Sequence, residues 1–247
     1  MKKHILSLLL IAGGCLPLAA QYTIHPVPQQ MTAVDGSASF SGEVCLVCDD
    51  QIDAATRQRA RQVLEEHGLK ANDADGAQAC TSVIYLKVDP SVAVSGKYDA
   101  HHLRLEAQDN GMASLTITGQ HTDATFMGLA SLEQMLDAVG TTALPCVDIS
   151  DYADQQQRGL VEGYYGYPYS QNVKKDLMRF MMRMKMNTYL YGAKSDPYHS
   201  EYWGQPYPQT VTEEQEQNGW LSEDMMRDVC ETSAATKVNF IWTVCNV

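Results

Sequence analysis

The chain has 247 residues, 45% of them hydrophobic and 19% charged, enough for a buried core in one large domain or two ordinary ones. Its formal net charge is −12, and after residue 3 the only adjacent basic pair is Lys174-Lys175. Phosphate-binding proteins carry a basic face, so nucleic acid is not an expected partner.

The N-terminus has the three parts of an export signal. Lys2 and Lys3 supply a positive start, residues 5–12 a short apolar run, and Leu18-Ala19-Ala20 a small-residue cleavage point before Gln21. Residues 1–20 are therefore expected to be a signal peptide, with the protein exported to the periplasm or the cell exterior. The apolar run falls short of the roughly 20 residues that cross a bilayer, so no membrane span is expected. Cys15, after Ala12-Gly13-Gly14, offers lipoprotein anchoring as a second outcome. Six cysteines follow the signal. Cys45-Leu46-Val47-Cys48 has redox or zinc spacing but lacks a second ligand pair, so both are expected to be small buried hydrophobes.

Residues 22–150 read as a small mixed α/β domain. Residues 22–25 are extended before Pro26 and Pro28, and residues 44–48 form a strand. Asp53 caps a helix that buries Ala60, Val63 and Leu64 and stops at Gly68. Residues 83–88 form another strand. Residues 103–107 and 115–118 flank the Asp109-Asn110-Gly111 turn as a hairpin. A helix over residues 122–139 places Phe126, Leu129, Leu132, Leu136 and Val139 on one face and ends at Gly140. The His101-His102 pair projects to opposite faces of a strand and cannot share one metal, so both are expected at the surface or rim.

From residue 151 the pattern becomes strand, helix, strand, helix, strand. Residues 158–162 are the first strand, and Ser170 caps a helix with Val173, Leu177, Phe180, Met181 and Met184 on its buried face. Residues 187–191 are the second strand. Ser222 caps a helix with Met226, Val229, Cys230 and Ala234 inward, and residues 239–244 are the third strand, an apolar edge. Parallel units of this kind collect their chemistry at the C-terminal ends of the strands. Glu162, Tyr165, Lys194, Asp196 and His199 fall there. Glu162 and Asp196 could form an acid/base pair, or could orient a loop and cap the turn before Pro197. Neither metal nor cofactor is expected, because no ligand cluster exists.

Three stretches carry a resemblance: Arg158-Gly159-Leu160-Val161-Glu162-Gly163-Tyr164-Tyr165-Gly166, then Met186-Asn187-Thr188-Tyr189-Leu190-Tyr191-Gly192, then Lys194 with Asp196-Pro197-Tyr198-His199. Over residues 155–244 the chain resembles family-84 glycoside hydrolases, the O-GlcNAcase and hyaluronidase-like β-N-acetylglucosaminidases. Residues 22–150 resemble, more weakly, the small domain before the barrel in bacterial members. The resemblance implies an α/β fold in which that domain precedes a truncated (β/α)8 TIM barrel over residues 151–247, with about three of eight strands. It implies substrate-assisted, retaining hydrolysis of terminal N-acetylglucosaminides in glycans or glycoproteins. In that chemistry the substrate's 2-acetamido oxygen attacks the anomeric carbon, and two consecutive aspartates after the fourth strand orient it and exchange the proton.

By the same resemblance Gly163, Tyr165 and Lys194 bind the sugar, while Glu162 and Asp196 match no catalytic position. The only Asp-Asp, Asp49-Asp50, lies in the first domain, so the chain to Val247 is expected to lack the acid/base pair and to be inactive as it stands. The alternative is a non-catalytic glycan- or protein-binding module.

Overall fold

The computed structural model describes residues 22–73, 80–163, 167–192, 196–199, 201–202 and 204–243. Two β-layers account for them. The first contains β1 (Gln30–Ala38), β2 (Glu43–Cys48), α1 (Ala54–Glu66), β3 (Lys70–Asp73), β4 (Ser82–Val88), β5 (Tyr98–Ala107), β6 (Ala113–Gly119), α2 (Thr122–Val139) and β7 (Leu144–Ala153). Its seven strands run in the order β1-β7-β5-β6-β4-β2-β3. Pairing is antiparallel from β1 to β6 and parallel from β6 through β4 and β2 to β3.

Local sequence accounts for most of these elements. The Asp53 carboxylate accepts from the Thr56 amide at 2.8 Å, and α1 buries Ala60, Val63 and Leu64 as its spacing predicts. In the β5–β6 hairpin, Leu103 and Leu105 pair with Ile117 and Leu115, and all four are fully buried. Phe126, Leu129, Leu132 and Leu136 are buried on α2, and Gly140 leaves it at φ +76°, a left-handed conformation open to glycine. α2 is buried on nearly every side because it touches β5 and β6, α1, and a helix of the second layer.

Three strands of this layer are not anticipated by the sequence. β1 is a largely exposed, polar edge strand with a register shift between Ala33 and Ser37. β3, Lys-Ala-Asn-Asp, has almost no apolar content and is held by pairing to β2. β7 does alternate, with Val147 and Ile149 buried between Asp148 and Ser150, but Pro145 and its aspartates mask the pattern.

Two expectations are corrected here. Cys45 is not a simple buried hydrophobe: it is disulfide-bonded to Cys80, with Cα atoms 5.5 Å apart, fastening β2 to the chain entering β4. Cys48 stays a free, half-buried thiol. The histidine pair does split across the two faces of β5, but only His102 is near the surface, 2.6 Å from Asp148. His101 is 4% exposed.

The second layer comprises β8 (Gly159–Glu162), α3 (Gln171–Arg183), β9 (Thr188–Tyr191), α4 (Glu213–Gln217), α5 (Glu223–Thr236) and β10 (Asn239–Trp242). Its sheet is parallel in the order β8-β9-β10. Gly159 is required by close backbone approach, since a Cβ there would stand 1.5 Å from the Thr188 carbonyl oxygen. Met178, Met181, Tyr189, Val229 and Val238 form the small core.

The helix faces differ from expectation. On α3, Val173 and Phe180 are 42% and 49% exposed, whereas Lys174, Met178 and Met181 are buried. The helix is turned so that the Lys174 ammonium reaches polar partners under the sheet's rim. On α5, Val229 is buried, but Cys230 and Ala234 are exposed. α4 was not anticipated, although the Thr212 and Gln215 capping box marks its start.

Ion pairs join the layers. Glu133 on α2 holds Arg59 of α1 at 2.5 Å and Arg183 of α3 at 3.2 Å. Asp99 binds Arg158 and Asp151 binds Lys185, both at 2.6 Å, and Lys237 lies between Asp53 and Asp123. Among the described residues no helix is long and apolar enough to cross a membrane.

Candidate functional site

The parallel register aligns the strand ends. Glu162 pairs with Tyr191, and Tyr191 with Trp242, so Gly163, Gly192 and Thr243 follow on one rim. Gly163 is exposed there, directly after β8. Tyr165 and Lys194, the other two expected sugar-binding residues, lie outside the described residues.

Glu162 is buried beneath that rim. Its Oε1 accepts from the Tyr169 amide at 2.6 Å and the Lys174 ammonium at 3.2 Å, and its Oε2 accepts from the Tyr189 hydroxyl at 2.6 Å. Lys174 also donates to the Tyr169 carbonyl and stands 4.5 Å above the Tyr191 ring. Burial pulls the Lys174 pKa below the ordinary lysine value, against the opposing pull of Glu162. The carboxylate and ammonium thus grip both polar groups of the Tyr169 backbone, where the loop after β8 returns to α3.

Asp196 does the same for the segment after β9. It accepts from the Tyr191 hydroxyl, from the Tyr198 amide at 2.9 Å and from the Tyr207 hydroxyl at 3.4 Å. The amide contact caps the short 3-10 turn Pro197–His199. Burial, followed by the Asp196 charge, pushes the Tyr191 and Tyr207 hydroxyls far above the usual phenol range. Both phenols therefore remain neutral donors at neutral pH.

This geometry decides between the two readings of the carboxylates. Each is at least 96% buried and accepts from three donors, leaving neither poised to trade a proton with a substrate. Glu162 and Asp196 orient loops.

An aromatic wall that the sequence reading did not assemble stands beside them. Tyr198 stacks on Tyr207 at 4.5 Å, Trp220 meets Tyr198 edge-on at 6.5 Å, and Trp242 lies 6.4 Å from Tyr207. These residues come from three separate segments, so only their tyrosine- and tryptophan-rich composition hints at the cluster. Gly219, at φ +79°, allows the chain before Trp220 to pass Pro168, whose carbonyl oxygen would be 2.1 Å from a Cβ. Among the described residues no group of three or more His, Cys, Asp or Glu side chains could hold a metal ion.

A mixed α/β layer is followed by a parallel sheet whose strands end on a polar, aromatic rim, an arrangement that many chemistries share. Residues 21–152 match the family described as glycosyl hydrolase family 20, domain 2, and the chain belongs to that family. Residues 158–246 match beta-N-acetylglucosaminidase.

Protein O-GlcNAcase of Mus musculus is 35% identical over 85 residues, covering 32% of this chain and 9% of the relative. The Rattus norvegicus protein of the same name is 41% identical over 49 residues, covering 20% and 5%. The solved structure of CpGH84D aligns with a TM-score of 0.73 and 28% identity, over 90% of this chain and 37% of that one. A family-20 exo β-N-acetylglucosaminidase from Vibrio harveyi, solved with N-acetylglucosamine, has a TM-score of 0.66. At 15% identity over 92% of this chain and 36% of its own, it shares the fold. The chain thus spans less than a tenth of the curated relatives' length and about two fifths of the solved ones.

Proposed function

We propose that this chain contributes the substrate-binding start of a β-N-acetylglucosaminidase that hydrolyses terminal N-acetylglucosaminides with retention. The observation that carries the reading is the parallel β8–β9–β10 register, in a segment matching beta-N-acetylglucosaminidase, with Gly163 exposed on its rim. In this reading β8, β9 and β10 are the first three strands of a (β/α)8 barrel; the accessory domain runs to the end of β7 at Ala153, three residues past the boundary expected at residue 150, and the catalytic domain follows it. Gly163, Tyr165 and Lys194 bind the sugar: the glycine through its backbone, the tyrosine as pocket wall, the lysine through the sugar hydroxyls.

The acid/base work belongs to an Asp-Asp pair with no counterpart among residues 158–247. Asp49-Asp50 cannot substitute, because Asp49 sits at the end of β2 in the other layer and accepts from the Val88 amide. The protein nucleophile is dispensable, since the substrate's acetamide attacks its own anomeric carbon. The signal-like residues 1–20 fit export, and the Cys45–Cys80 disulfide fits an oxidising compartment.

Titration of the chain with N-acetylglucosamine, followed by NMR, tests the proposal. Saturable binding that falls about tenfold in Lys194→Ala is expected, with no turnover of an aryl N-acetylglucosaminide. Equal affinity for glucose, or binding indifferent to both Lys194→Ala and Tyr165→Ala, would overturn it.

A further inference from the structure

The two loops at the rim have separate carboxylate anchors, Glu162 for the one after β8 and Asp196 for the one after β9. A single cation stands between those anchors. Lys174 lies four residues past the Ser170 cap of α3, and helical side chains lean toward the helix N-terminus, so its stem runs back toward the rim. It is fully buried, and a buried ammonium has three protons to place. Glu162 Oε1 takes one at 3.2 Å and the Tyr169 carbonyl takes another. The Tyr191 ring, its centre 4.5 Å from Nζ, offers its negative face to the third.

That ring is the link to the second loop. Tyr191 is fully buried, Phe240 stacks on it at 5.4 Å, and its hydroxyl donates to Asp196. Donation to a carboxylate leaves more electron density on the phenol, which strengthens the ring's hold on a cation. Both anchors are felt at the ammonium: burial lowers the Lys174 pKa, and Glu162 and Asp196 each raise it again. Contacts thus run unbroken from the Tyr169 backbone through Glu162, Lys174, Tyr191 and Asp196 to the Tyr198 amide.

We propose that Lys174 and Tyr191 are positioning residues that couple the two loops, so that the rim meets a sugar as one preordered surface. The purpose of that coupling rests on the sugar-binding reading of the rim, whereas the coupling itself rests on these contacts. Loops with independent anchors each pay their own ordering cost on binding. Loops that share one buried cation are ordered before the ligand arrives, and preorganisation of this kind raises affinity. A buried ion pair adds little net stability against an apolar replacement, so its use here is to fix geometry.

Two substitutions, each removing one hydroxyl and no charge, test the coupling. Tyr189→Phe takes a donor from Glu162, and Tyr191→Phe takes one from Asp196. In amide hydrogen exchange read by NMR, Tyr191→Phe should speed exchange about tenfold at Tyr198 and also across the link at Tyr169. Tyr189→Phe should do the same from the other side, because coupling is reciprocal. Amides of the β5–β6 hairpin should change far less. In a Lys174→Met/Glu162→Gln background, which removes the cation without stranding its counter-ion, each substitution should loosen its own loop alone. Titration with N-acetylglucosamine should show binding about tenfold weaker for each substitution, and well under about a hundredfold weaker for the two together. Faster exchange in the nearer loop only, or equally in the hairpin, would overturn the proposal. So would a cross-effect that survives the loss of Lys174, or a full hundredfold loss, roughly the product of the two, in the double variant. A parent chain that binds no N-acetylglucosamine would overturn the sugar reading instead, and the exchange rates would still decide the coupling.

Discussion

The seven-stranded layer packs its sheet under leucine and isoleucine and keeps a buried ion pair, Arg59 with Glu133, between its helices, whereas the three-stranded layer buries charge directly beneath its strand ends. In the first, Leu103, Leu105, Leu115 and Ile117 sit in one continuous apolar core against α1 and α2. In the second, the small cluster of Met178, Met181, Tyr189, Val229 and Val238 shares the interior with Glu162, Lys174 and Asp196. An apolar core tolerates small shifts, because dispersion and burial are non-directional. A buried ion pair does not, because its favourable term depends on each hydrogen bond being made. The layer that supports the rim is therefore the one whose geometry is set by directional contacts.

This contrast can be broken most sharply at Lys174. Lys174→Met should leave Glu162 buried without its cation and cost about 3–5 kcal/mol of stability, measured by chemical denaturation. Adding Glu162→Gln should recover part of that loss; if the single variant is as stable as the parent, the polar core is not a structural clamp. In the apolar layer, Leu103→Ala should cost about 2–5 kcal/mol by the same measurement, and no second substitution at a polar site should recover it.

The junction between the layers gives a pH test. His101 titrates at about 4 in the folded chain and near 6.5 when unfolded, so the unfolded chain binds more protons between those values. The stabilisation it contributes is complete above about pH 6.5 and is lost as pH falls toward 4. Calorimetric midpoints should drop across that window with the slope of about one proton, and the drop should flatten in His101→Phe. The smallest effect is local: Asp53→Ala removes both the α1 cap and a partner of Lys237, and should cost about 1 kcal/mol without changing the rim. A larger loss there would mean that the layers depend on their ion pairs more than on α2 packing.

Much of this was legible in the sequence because it rests on neighbours in the chain. The caps Asp53, Ser170 and Ser222, the Asp109-Asn110-Gly111 hairpin and the apolar face of α2 are all local signals, and each stands where its chemistry puts it. The parallel strands from residue 158 were legible too, as was the loop-holding role of Glu162 and the turn-capping role of Asp196. Only the fold excludes an acid/base role for the pair, because it brings three donors to each carboxylate.

What the sequence did not reveal depends on residues far apart. Cys45 finds Cys80 only because β2 and β4 are parallel neighbours. β1 and β3 are strands because partners supply their hydrogen bonds, not because their own residues favour extension. On α3, helical periodicity ranks Val173 and Phe180 as inward and Lys174 as outward. A buried carboxylate on another element reverses that order.

The sequence by itself determined the capped helices α1, α2, α3 and α5, the β5–β6 hairpin, the parallel strands from residue 158 and the family resemblance, all of which depend on local hydrogen bonding and spacing. The tertiary structure alone decided which charges go inside and which histidine is buried. Those outcomes follow from desolvation and pairing across distant segments, and chain-local patterns carry no record of them.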